Sequence, residues 1–113
     1  MQVKVQEQIR ENPRLASAVD HATKLLEDEV NSSADPTTAE WSLSQDEQNR
    51  PLVELKLTDF AGSVARRFSI EELANSSHLE GLLSRVWRDL LRVRLHKHRE
   101  RLRQLVQELE KEE

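Results

Sequence analysis

The chain has 113 residues, enough for one domain, with 36% hydrophobic and 34% charged residues and a formal net charge of -4. Two glycines and three prolines exclude a glycine-built phosphate cradle and a disordered linker protein, and the absence of cysteine excludes disulfides, a thiol nucleophile and a thiolate metal site. The charge is unevenly placed: Arg85 to Arg103 carries a formal +6, which leaves -10 on the rest of the chain.

Residues 1–11 admit two readings. Val3 and Val5 alternate like a strand, whereas Val5 and Ile9 fit a helix, and the helix is favoured. These first residues carry no apolar signal core, and no run approaches the roughly 18 apolar residues of a membrane span. The expectation is a cytoplasmic protein with no membrane association.

Asn12-Pro13 is a helix start, with Asn as the cap and Pro at the first helical position, where a missing N–H costs nothing. Leu15, Val19, Ala22 and Leu26 follow at helical spacing and predict an amphipathic helix over about 13–30. Asn31 to Thr38 reads as a loop. Asn31-Ser32-Ser33 and Asn75-Ser76-Ser77 match the glycosylation acceptor pattern, but without a secretory signal they read as turn and cap chemistry.

The period then changes to two. Trp41 and Leu43 alternate with polar residues, and so do Val53, Leu55 and Leu57, with turn residues between. Asp59 and Gly62 mark another turn, and Val64, Arg66 and Phe68 give a third strand whose pattern Arg66 interrupts. Ser69-Ile70-Glu71-Glu72 is a capping box that opens a short helix. Ser77-His78-Leu79-Glu80 is a second one, expected to open the long helix.

From about Ser77 to Glu113 no proline interrupts one continuous helix. Its apolar face turns partway along. Leu79, Leu82, Leu83, Val86, Trp87 and Leu90 form a broad first face. Leu91, Leu95, His98, Leu102, Leu105 and Leu109 form a narrow stripe at spacings of 4, 3, 4, 3 and 4. The two faces lie about 110° apart at roughly 100° per residue. The first face suits the protein's own core, the second another helix. Such a helix spans ~50–55 Å, while a domain of this size is only ~26–30 Å across, so half of it projects or pairs.

The fold expectation is α+β in a single domain, 1–113: an N-terminal helical segment over 1–30, a three-stranded antiparallel meander over 39–68, and a short helix plus a long C-terminal helix over 69–113. Trp41 and Trp87 lie on apolar faces and are expected in the core, not on a ligand platform.

No nucleophile elbow, zinc helix or P-loop is present. His96 and His98 point about 160° apart on a helix and cannot share a metal ion. Glu71 and Glu72 are explained by the cap. The expectation is therefore a non-enzyme with no catalytic, cofactor or metal residues.

The flanks of the stripe are basic. Arg88, Arg92, His96, Arg99 and Arg103 follow one side, and Arg94, Lys97 and Arg101 the other. These positions choose a coiled-coil partner. A parallel copy sets basic against basic. An antiparallel copy places Glu108, Glu110, Glu112 and Glu113 beside Arg92–Lys97, and this homodimer ranks first. Behind it come folding back of the acidic first helix and docking of an acidic protein partner. His98 is expected to set register in the seam, with a pH-sensitive contact ranked behind that role. The interaction residues are thus Leu91, Leu95, His98, Leu102, Leu105, Leu109, Arg94, Lys97 and Arg101. The alternative is nucleic-acid binding through Arg88, Arg92, Arg99 and Arg103.

Overall fold

A computed structural model describes residues 1–31 and 36–111. The Ser32–Asp35 part of the expected loop, with the first glycosylation pattern, and the acidic Glu112 and Glu113 lie outside the described residues. The elements run β1 (Gln2–Val5), α1 (Glu7–Arg10), α2 (Pro13–Val30), β2 (Thr38–Gln45), β3 (Pro51–Asp59), β4 (Gly62–Ser69), α3 (Ile70–Ala74) and α4 (Ser76–Lys111). The fold is α+β, with a sheet of four strands in the order β1-β2-β3-β4 rather than three.

The extra strand is β1, where the sequence favoured a helix. It pairs parallel to β2, setting Val3 beside Ala39 and Val5 beside Trp41. The pairing is anchored at both ends, by Gln2 N–H to the Thr37 carbonyl at 3.0 Å and Gln6 N–H to the Trp41 carbonyl at 2.9 Å. The Gln6 side-chain oxygen also accepts from Leu43 N–H at 2.7 Å. The N-terminal segment is therefore strand, one helical turn, then helix. The turn carries Ile9 into the core.

α2 starts as its cap dictates, with the Asn12 side chain accepting from the N–H groups of Arg14 and Leu15 and Pro13 in the first turn. The Ser69–Glu72 box forms in both directions, at 3.1 and 2.9 Å. The second expected box does not open α4. The helix starts one residue earlier, at Ser76, and the Asn75 carbonyl accepts from His78 and Leu79. Ser77 is already inside the first turn, and its hydroxyl donates to the Asn75 side chain at 2.8 Å.

One face of the sheet presents Ala39, Trp41, Val53, Leu55, Leu57 and Phe68. Across from it pack Val19, Ala22 and Leu26 of α2 and Leu79, Leu83, Val86 and Leu90 of α4. Arg66 interrupts this apolar row on β4, an edge strand, and its guanidinium reaches outward to Glu72 at 3.7 Å. The other face of the sheet is polar, with ion pairs Lys4–Glu40 and Glu54–Arg67 across strands. Exposed pairs of this kind add ~0–1 kcal/mol. They keep the face wet and leave stability to the apolar side.

Trp41 lies at the centre of the core, 1% exposed, with the Phe68 ring 6.2 Å away. Its indole N–H meets no hydrogen-bond partner among the described residues. Its contribution is therefore packing. Trp41→Ala is expected to cost about 3–5 kcal/mol, and Trp41→Phe only about 1–2 kcal/mol, because a ring remains and a lone buried donor is removed. Urea unfolding of the two variants checks the contrast.

The molecule measures 63 × 32 × 25 Å with a radius of gyration of 17.3 Å. A compact chain of this length would have a radius near ~13 Å. Its accessible surface is 8044 Å², against about 6,400 Å² for a compact protein of this mass. Both excesses come from α4, whose 36 residues form a rod of ~54 Å that outruns the body.

Candidate interaction surface on the projecting helix

The first half of α4 is bound inward by Leu79, Leu83, Val86, Trp87 and Leu90. The inward face ends at Arg94, which the sequence placed among the partner-choosing flanks. That placement is corrected: Arg94 is 7% exposed and turned into the body. Its Nε donates to Asp59 Oδ2, its Nη2 donates to Thr37 Oγ1 at 3.1 Å, and its guanidinium lies 4.9 Å over the Trp87 ring. The Asp59 side chain is fully buried, and its other oxygen accepts from the N–H groups of Ala61 and Gly62. A buried guanidinium needs such a set of partners, because desolvation otherwise costs several kcal/mol. Arg94 therefore selects no partner. It fixes the direction in which the helix leaves the body.

The β3–β4 turn that supplies Asp59 touches α4 at two further points. Gly62 has φ +151°, and a Cβ there would lie 3.2 Å from Val93 Cγ1, so a side chain at this position would strain the backbone and press on the helix. Phe60 places its ring 5.7 Å from the His98 ring. His98 is thus at once part of the stripe and in contact with the body. Phe60 remains 55% exposed.

The stripe itself stays open. Leu91 is 39% exposed, Leu95 50%, Leu102 62%, Leu105 50% and Leu109 64%. Val106, at 53%, belongs to the same surface. The sequence reading missed it, although it stands one turn beyond Leu102. The acidic first helix does not fold back over these residues. α2 packs on the earlier part of α4, where the Ser84 hydroxyl donates to Glu29 Oε1.

The flanking cations are exposed: Lys97 and Arg101 on one side, Arg88, Arg92, Arg99 and Arg103 on the other. Two neighbours are paired within the helix, Arg92 with Asp89 at 3.7 Å and His96 with Glu100 at 3.1 Å. Near the end of the rod Glu108 and Glu110 are exposed as well.

Elsewhere an open groove lies between α2 and α3, lined by Pro13, Arg14, Leu15, Ala18, His21, Ile70 and Leu73 among others. Its lining is mostly apolar and brings no pair of titratable groups into register for chemistry. Among the described residues no group of three or more His, Cys, Asp or Glu could hold a metal ion, and no helix is long and apolar enough to cross a membrane. The surface that stands out chemically is the outer half of α4. No protein-family model, curated protein or solved structure matches this chain, so its function is argued from that surface.

Proposed function

We propose that this protein is a non-enzymatic assembly module whose projecting helix pairs with a second copy, running antiparallel. The observation that carries this reading is the row of leucines, 39% to 64% exposed, on a rod that the body holds clear of itself. A row of that extent on a soluble protein marks an association surface. Burying each remaining half-side chain yields about 1 kcal/mol, so two copies gain on the order of 10 kcal/mol. Association costs ~4–15 kcal/mol. The balance points to a modest, concentration-dependent affinity. Charge selects the orientation: an antiparallel copy brings acidic residues 108 and 110 to the basic stretch, whereas a parallel copy opposes basic flanks along their whole length.

Molar mass by light scattering on a size-exclusion column, at low and high salt and over a range of concentration, tests the reading. A dimer that loosens with salt is the expected result and assigns part of the affinity to the flanks. A monomer at every concentration overturns self-pairing and turns attention to an acidic protein partner.

A second reading has its own observation. Arg88, Arg92, Arg99 and Arg103 are exposed along one side of the rod and could follow a nucleic-acid backbone. On that reading generic RNA or duplex DNA is retarded in a salt-dependent way, and changing Arg92, Arg99 and Arg103 to Glu abolishes the shift. The net charge of -4 favours the assembly reading.

A further inference from the structure

The spacing of the exposed stripe specifies more than pairing. Leu91, Leu95, His98, Leu102, Leu105 and Leu109 are separated by 4, 3, 4, 3 and 4 residues, a series that is the same read from either end. Its midpoint is residue 100. We propose that two copies pair antiparallel with residue 100 opposite residue 100, a register that rests on the paired-helix reading above. Leu91 then meets Leu109 of the second copy, Leu95 meets Leu105, and His98 meets Leu102. The two-fold axis repeats these contacts, so the twelve side chains close into six layers.

No other antiparallel register achieves this. Moving the centre to residue 102 pairs Leu95 with Leu109 and Leu102 with itself, but it sets Leu105 against Arg99. Shifts of about half a turn in either direction set a leucine against an arginine, Leu95 against Arg101 at centre 98 and Leu105 against Arg99 at centre 102, whereas the centred register has His98 as its one polar stripe residue. The flanks agree with the same centre. Glu110 of each copy comes to the level of Arg88 and Arg92 of the other, on the same flank. Like charges meet near the axis, where Arg99 approaches its counterpart and Arg103, and Arg101 approaches its counterpart and Lys97. Phe60 touches His98 and therefore borders the central His98–Leu102 layers.

The chain has no cysteine, so single thiols can report the register. Leu95→Cys and Leu105→Cys proteins are mixed and mildly oxidised at a concentration where the unmodified chain is a dimer. A disulfide-linked dimer is expected in the mixture and not from either variant alone. Within either variant alone the two thiols would sit about 15 Å apart along the axis, beyond the ~7 Å Cα reach of a disulfide. Self-linkage of either variant indicates a parallel pair and overturns the proposal, as does preferential linkage of Leu95→Cys to Leu109→Cys. Spin labels on Gln107→Cys, away from the stripe, give a second readout if the thiol substitutions weaken pairing. They lie about 21 Å apart along the axis in this register and level with each other in a parallel pair. A dimer without these signatures removes the register alone. A monomeric unmodified chain removes the pairing itself.

Discussion

Asp59→Ala is expected to lower folding stability by about 3–5 kcal/mol, because it leaves the Arg94 guanidinium buried without its counter-charge. The Asp59 carboxylate is wholly buried, and it also receives the N–H groups of Ala61 and Gly62, so the substitution opens the turn that seats against α4 as well. Domains of this size hold only about 5–15 kcal/mol in total, and the urea midpoint should fall accordingly. Arg94→Met should be milder, since the Ala61 and Gly62 N–H groups still hold one Asp59 oxygen and a long apolar chain still covers Trp87. Combining Arg94→Met with Asp59→Asn should recover much of the loss seen with Asp59→Ala. A double-mutant cycle measures the coupling. Equal and additive losses would show that the two residues act separately.

The second large effect concerns association rather than folding. Leu95→Lys together with Leu102→Lys should leave a folded monomer. Both positions are at least half exposed, so the body loses almost nothing. A paired seam loses four leucines across two copies and must accommodate four ammonium groups. At about 1 kcal/mol of burial per leucine, the dissociation constant rises roughly a thousandfold before charge repulsion is counted. Light scattering and circular dichroism on the same samples separate this outcome from unfolding. An unaltered mass would show that these leucines do not form the seam.

Most of the fold can be read from local pattern. Asn12-Pro13 marks the start of α2, and the period-two runs around Trp41 and Leu55 give the central strands. Ser69 and Glu72 announce α3. β1 escapes such a reading because its neighbour β2 begins 36 positions later and lies parallel, so no turn residue links the two. The exposed stripe was legible because leucine spacing on a helix fixes a direction, and Val106 extends it. Arg94 was not, because periodicity treats a cation as a surface residue. Yet it continues the series Leu79, Leu83, Val86 and Leu90 on the inward face. Only the turn carrying Asp59, distant in sequence, reveals why a charge sits there.

The overhang of α4 has a thermodynamic consequence. From Arg99 to Lys111 the rod runs about 13 residues past the ring contact between Phe60 and His98. Helices of roughly that length are marginal by themselves in water. Burial of its leucines therefore supplies what the segment lacks as an isolated helix, and winding and capture become one linked equilibrium. Helical content should rise with protein concentration, and the overhang should exchange its amide protons fastest when the protein is most dilute.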